Sequence, residues 1–238
     1  MGIIERPILM QTEMVQAIDK DWKSNTRRTR GLELINLNPS DWKLLIYGQC
    51  YVPAVRNKKA KEGFGAIFTG KESKAELIFC PYGNIGDILW VRETWGIYSN
   101  EFYYKALTAE GEELCKWKPS IHMPRIAARN FLNITAIRVE RLQDISEKDA
   151  IAEGVYRWVE ERIKSKPTHY KVYCDLENPH DPALYSSSAI GSFQTLWHDI
   201  NGLESWNANP WVWVISFERV SNHNVKSTTK ILSYDSSR

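Results

Sequence analysis

Runs of β-branched and aromatic residues recur along this chain of 238 residues and constrain its fold more than any other feature. Such side chains fit the pleated surface of a β-strand better than the surface of a helix. We therefore predict strands at residues 75–80, 88–95, 101–105, 131–140 and 211–220. A turn cluster at residues 81–87 leads into the second of these strands. The pattern predicts a curled sheet with mixed or antiparallel pairing.

Helical signals are few. Helices are predicted at residues 12–22, 145–154 and 187–200. The second is the best marked, because Ser146 and Asp149 have the spacing of a capping box and Gly154 is a stop signal. These elements together predict an α+β fold with a few short peripheral helices.

The length of the chain is compatible with one large domain, which we place at residues 1–220. Residues 39–74 and 156–186 contain basic runs and prolines, and we expect them to be insertions that decorate a smaller core. Residues 221–238 are rich in Ser, Thr, Asn and Lys and are predicted to form a flexible tail.

Charge and cysteine usage exclude some classes of protein. The net charge is only +2, so any surface for a polyanion must be local. No segment approaches the roughly 20 apolar residues that a spanning helix needs, so a membrane protein is not expected. Because the four cysteines are far apart and no signal peptide precedes them, we expect a reduced, cytoplasmic compartment.

A polar segment after the first helix contains the residue types of a nucleophilic site. It includes Lys23, Thr26 and Arg28, and its composition predicts a loop over residues 23–31. A Lys that loses solvation has a lowered pKa, and its neutral amine can take the proton of a neighbouring hydroxyl. The alternative interpretation is a solvated loop that contacts an anion or nothing.

Glu153 is a second candidate, because it directly precedes the predicted helix stop at Gly154. A carboxylate at that position faces the negative end of its own helix dipole, which raises its pKa and suits proton transfer. A cation such as Lys23 would offset this effect. The alternative is an exposed Glu that slightly frays a short helix.

Taken in order, these residues resemble the ASCH family, a branch of the PUA-like barrels. The resemblance runs nearly end to end and rests on Lys23-x-x-Thr26-x-Arg28 and on residues 86–93, 145–154 and 209–217. The chain is most similar to larger ASCH proteins of phages and prophages, through residues 117–125 and 140–146. The resemblance implies a PUA-like fold, a curled mixed or antiparallel β-barrel.

Small bacterial members of this family are amidohydrolases that remove the acetyl group from N4-acetylcytidine. The resemblance implies that Thr26 attacks the acyl carbon and that Lys23 is the base, whereas Glu153 orients Lys23 or shuttles the proton to the leaving amine. The partner implied is a modified nucleoside or RNA. One departure is Asp21, which stands where the family commonly has Gly.

Further contacts to substrate or nucleic acid are expected from cationic and aromatic residues and from one carboxylate. The candidates are Arg27, Arg28, Glu93, Trp117, His122 and Arg125. The last three belong to a segment, residues 117–125, that offers phosphate contacts beside a stacking surface. The alternative for this segment is an ordered loop that packs against the barrel.

Three functions are therefore compatible with the sequence. The first is amide hydrolysis of an N4-acylated cytidine, free or in RNA, the second is RNA or modified nucleic-acid binding without turnover, and the third is RNA cleavage in the same basic cleft. No metal is expected, because Cys-x-x-Cys is absent and Cys115 and His122 form a pair without obvious partners. No cofactor is expected either.

Overall fold

The computed structural model describes residues 2–54, 59–71, 74–108, 115–155, 157–158, 169–173 and 185–220. The fold is mixed α+β, with mostly strands and a few short helices. The strands are β1 Glu5–Leu9, β2 Asn25–Arg28, β3 Lys43–Val52, β4 Lys61–Thr69, β5 Ala75–Phe79, β6 Ile88–Arg92, β7 Trp95–Tyr98, β8 Glu101–Tyr104, β9 Phe131–Arg141, β10 Arg157–Trp158, β11 His169–Lys171, β12 Tyr185–Ser186 and β13 Trp211–Arg219. The helices are α1 Thr12–Asp19, α2 Glu33–Asn36, α3 Glu147–Ala152, α4 Ala189–Asn201 and α5 Glu204–Asn207.

The main sheet has five strands in the order β1-β6-β9-β13-β2. Strands β1 and β6 are parallel, and the other neighbouring pairs are antiparallel, so the sheet is mixed as predicted. Three smaller sheets are formed by β3-β4-β5, by β7-β8 and by β10-β11-β12.

The two edge strands of the main sheet approach each other. Arg28 in β2 donates a hydrogen bond from Nη2 to the carbonyl oxygen of Leu9 in β1 at 2.8 Å. The sheet is therefore curled, but among the described strands no sheet closes on itself. The closed barrel expected from the sequence is not confirmed.

Two sequence predictions about this part of the chain are wrong. The loop predicted at residues 23–31 contains β2, because Thr26 and its neighbours pair with β13 in register with Ile215. The first helix ends at Asp19 and not near Trp22, since Asp21 adopts a left-handed φ of 56° that a helix cannot continue through.

Other predicted elements shift in detail. The strand predicted at residues 88–95 is divided into β6 and the start of β7. Residues 39–74, expected to be a decoration, contain the long hairpin of β3 and β4. Most of residues 156–186 and all of residues 221–238 lie outside the described residues.

One large hydrophobic core joins the main sheet to the sheet of β3, β4 and β5. Phe68 in β4 is fully buried and packs edge to face on Trp211 in β13, with 5.3 Å between the ring centroids. Helices α1 and α4 contribute further buried side chains to the same core. No helix in the described part of the chain is long and apolar enough to cross a membrane.

Candidate functional site

Helix α3 brings Glu153 to the segment that carries Lys23. The Ser146 hydroxyl accepts a hydrogen bond from the backbone N–H of Asp149 at 3.1 Å, which is the N-cap predicted from the sequence. The helix ends with Glu153 as its C-cap. The backbone N–H of Ser24 then donates to the carbonyl oxygen of Ala152 at 2.8 Å, so the two segments run side by side.

Gly154 permits this close approach. Its φ is 86°, in the left-handed region that favours glycine. A Cβ atom at this position would lie 2.8 Å from the Cβ atoms of both Ala17 and Lys23. The predicted helix stop is therefore also the point where α1, the Lys23 segment and α3 meet.

Lys23 and Glu153 form a buried ion pair. The Nζ atom of Lys23 lies 2.8 Å from Oε2 of Glu153 and 2.7 Å from its backbone oxygen. Only 5% of Lys23 and 3% of Glu153 are exposed. Burial lowers the pKa of Lys23, and although the Glu153 carboxylate opposes this shift, the net direction is downward.

Arg27 fixes the other side of the same carboxylate. Its Nη1 donates to Oε1 of Glu153 at 3.1 Å, and its Nη2 donates to Glu140 at 2.5 Å and lies 3.5 Å from Asp149. Arg138 binds both Glu140 and Asp149 in turn. Because each oxygen of Glu153 has its own cationic partner, this carboxylate is held in one orientation.

Thr26 lies beside this pair at a cavity of about 230 Å³. The cavity is lined by Met10, Met14, Lys23, Thr26, Arg27, Arg28, Thr29, Arg30, Tyr82, Glu153, Phe193, Leu196, Trp197, Ile200 and Asn201. The residues predicted to be catalytic, Lys23, Thr26 and Glu153, thus share one cavity. No hydrogen bond joins the Thr26 hydroxyl to any other described group, so it is not bonded to Lys23 in this state.

Helix α4 supplies an aromatic wall that the sequence did not assign to the site. Phe193 and Trp197 pack together with 6.1 Å between ring centroids, and the guanidinium of Arg27 lies 5.8 Å from the Phe193 ring. The indole Nε1 of Trp197 is buried and has no partner among the described residues. The apolar face of this helix predicted that Phe193 and Trp197 are buried. It did not predict that they lie near Lys23, because that proximity arises from tertiary packing.

Two further arginines belong to the same cavity. Arg28 and Arg30 line the cavity together with Thr29 and Tyr82. Burial raises the pKa of Tyr82, and the positive charges of Arg28 and Arg30 oppose that shift. Both guanidinium groups therefore act on the phenol.

The remaining predicted contacts do not line this cavity. Glu93 is 1% exposed and receives two hydrogen bonds from Arg129, at 2.9 and 3.0 Å. Burial raises the pKa of Glu93, and the guanidinium of Arg129 opposes this. Glu93 therefore belongs to a separate buried cluster, in which Arg129 also binds Asp19.

The segment of residues 117–125 packs against β1, β6 and β7. Arg125 is paired with Glu5 at 2.7 Å, and the buried Met123 packs with Trp95. Trp117 is half-buried and His122 is exposed. The structure thus places Trp117, His122 and Arg125 apart from the residues that surround Lys23.

Within the described ranges, no three His, Cys, Asp or Glu side chains cluster as a metal site would require. The fold and the cavity define a mixed α+β protein with a buried Lys-Glu pair beside an aromatic wall. Comparison with protein-family models, with curated proteins and with solved structures finds no match for this chain.

Proposed function

We propose that this chain is an ASCH-type hydrolase of PUA-like barrel ancestry that removes the acyl group from an N4-acylated cytidine, free or within RNA. The observation that carries the proposal is the buried contact of Lys23 with Glu153 at a cavity that Thr26 also lines. The order of these residues in the sequence, which resembles the family's Lys-x-x-Thr-x-Arg motif, and the curl of the main sheet support it.

The hydrogen bonds of Lys23 suit a general base. A neutral amine has two N–H bonds and one lone pair, and both observed acceptors of Nζ belong to Glu153. If Lys23 is neutral, its two hydrogens are therefore directed to Glu153 and its lone pair is left to accept a proton. The lowered pKa of Lys23 increases the fraction of this neutral form near neutral pH.

In the proposed reaction, the Thr26 oxygen bonds to the acyl carbon while its proton moves to Nζ of Lys23. The bond between the acyl carbon and N4 then breaks, and N4 receives the proton from Lys23, with Glu153 holding the amine in place. Cytidine leaves and an acyl ester remains on Thr26. Water adds to this ester, which releases the carboxylic acid and restores the Thr26 hydroxyl.

The test is release of acetate from N4-acetylcytidine by the purified chain. We expect Thr26→Ala to lower kcat at least about a hundredfold, because it removes the nucleophile. Lys23→Ala should abolish turnover too, but it leaves Glu153 buried with one partner fewer, so Thr26→Ala is the cleaner variant. Thr135→Ala, on the exposed side of β9, is the matched control and should retain activity. Undiminished turnover by Thr26→Ala would refute the role of Thr26.

The pH dependence provides an independent check of the base. The neutral amine is the active form, so kcat/KM should rise with pH through the pKa of Lys23 and then level off. Since burial lowers that pKa, the plateau is expected below the pH at which an exposed lysine loses its proton. A rate that falls over this range would contradict the assignment.

A second candidate is a binding module for RNA or modified nucleic acid that lacks turnover. It is favoured by the absence of a hydrogen bond between Thr26 and Lys23, since both bonds from Nζ go to Glu153. Under this proposal no acetate is released, and the affinity for RNA falls steeply with salt. Incubation with unmodified RNA, analysed on a gel, tests the ribonuclease alternative in the same preparation.

A further inference from the structure

We infer that Arg28 and Arg30 form a phosphate subsite in the cavity, so that the ligand is a phosphate-bearing cytidine and not a free nucleoside. The phosphate belongs either to a mononucleotide or to one unit of an RNA strand. This inference rests on the proposed function for the identity of the base, but not for the presence of the phosphate.

The four cations of the cavity fall into two pairs. Lys23 and Arg27 are neutralised by carboxylates, because Glu153 contacts both of them and Arg27 also binds Glu140. By contrast, Arg28 and Arg30 have no carboxylate within ion-pair distance in the part of the chain that the structure describes. Glu153 is the one acidic residue in the cavity lining, and it faces the first pair.

Arg28 is preorganised for an anion. Its Nη2 donates to the backbone oxygen of Leu9 at 2.8 Å and contacts the sulfur of Met10, which fixes the guanidinium at the cavity. Its Nε is buried and has no partner among the described residues. A buried donor without an acceptor is costly, and a ligand oxygen would satisfy it.

Arg30 completes the subsite from the rim. It is exposed, it lines the cavity, and it precedes the left-handed Gly31, whose φ is 88°. Burial raises the pKa of Tyr82, which also lines the cavity, and the charges of Arg28 and Arg30 both oppose that rise. The two guanidinium groups thus act on one small region, where a phosphate can receive several charge-assisted hydrogen bonds.

The experiment compares binding of cytidine and cytidine 5′-monophosphate to the full chain by calorimetry. We expect the nucleotide to bind at least about tenfold more tightly at low salt, because hydrogen bonds between arginine and phosphate are charge-assisted. Arg30→Gln should reduce this preference to about threefold or less. Lys43→Gln removes one positive charge from an exposed position on β3, away from the cavity, and should keep the preference.

Equal affinity for cytidine and its monophosphate, or a preference that survives Arg30→Gln, would overturn the inference. A third titration, with a short single-stranded RNA containing cytidine, separates the sources of phosphate. Tighter binding of the RNA than of the mononucleotide identifies the strand as the ligand, and equal or weaker binding identifies the mononucleotide.

Failure of the inference and failure of the proposed function give different results. If acetate is never released but the nucleotide preference depends on Arg30, the hydrolase proposal falls and the phosphate subsite stands. If N4-acetylcytidine and its monophosphate are hydrolysed with the same kcat/KM and bind equally, the subsite falls and the hydrolase proposal stands.

Discussion

Gly154, which follows Glu153 directly, leaves little room for any other residue. Its left-handed backbone excludes most residues, and its neighbours leave no room for a Cβ atom. We predict that Gly154→Ala lowers the free energy of unfolding by about 2 kcal/mol or more, since backbone strain and a clash act together. Urea denaturation measures the loss, and acetate release should fall because Lys23 is displaced.

Gly202 is the matched control for that substitution. Its φ of 87° is nearly the same, but no atom lies within 4 Å of the position of its Cβ. Gly202→Ala should therefore cost only about 1 kcal/mol of strain and leave hydrolysis intact. If both variants lose the same free energy of unfolding, the close approach at Gly154 makes no contribution to stability.

At the residue scale, the sequence predicted the members of the candidate site better than their partners. Lys23, Thr26 and Glu153 were recognisable because they are embedded in local motifs. The roles of Arg27 and Trp197 were not, because their contacts with Glu153 and with the cavity join residues far apart in the chain. Asp21, the departure from the family pattern, has a φ of 56°, and aspartate is one of the few residues other than glycine that tolerates this conformation.

Helix α3 is too short to be stable alone, because a nucleus of one or two turns is unfavourable in water. Its N-cap and the ion pairs of Asp149 supply the missing stabilisation. We predict that Ser146→Ala lowers the free energy of unfolding by about 1 kcal/mol. It should also lower kcat, since Glu153 follows directly at the other end of the helix.

The control is Ser40→Ala, at an exposed position with no side-chain hydrogen bond among those in the described residues. It should change neither stability nor kcat measurably. A Ser146 variant that denatures at the wild-type urea concentration would show that ion pairs alone hold α3.

Elements with a clear local signal, including α3 and the strands rich in β-branched and aromatic residues, were predicted close to their observed bounds, whereas β2 and the hairpin of β3 and β4 were not. Helix α3 has its cap and stop within a few residues, and both were found where expected. Strand β2 consists of polar residues whose own preference is for a loop, and it is extended because its backbone pairs with β13. The hairpin of β3 and β4 was missed because the sequence between its strands contains a basic run and the strands themselves contain three glycines.

At the scale of the whole molecule, the main sheet and the sheet of β3, β4 and β5 share one core, so we expect them to unfold together in a single cooperative transition. Phe68→Ala removes a fully buried ring at the contact between two sheets and should cost about 3 kcal/mol or more. Because the core is continuous, near-ultraviolet circular dichroism and tryptophan fluorescence should report the same transition.

Ile67→Ala is the control for this experiment, because Ile67 neighbours Phe68 but is only partly buried. Its cost should be about half that of Phe68→Ala or less. Two separate transitions in the Phe68 variant would show that the sheet of β3, β4 and β5 folds independently, contrary to the single domain predicted from the sequence.

The bond from Arg28 to Leu9 gives one side chain two duties, since it bridges the edge strands and also faces the cavity. A substitution of Arg28 that changes the ligand preference would also remove its hydrogen bond to Leu9 and so weaken the curl of the sheet. Evolutionary drift in ligand preference is therefore expected at positions such as the exposed Arg30, which lines the cavity and can vary while the scaffold keeps its shape. A selection experiment for altered specificity should recover changes there first and leave Arg28 untouched.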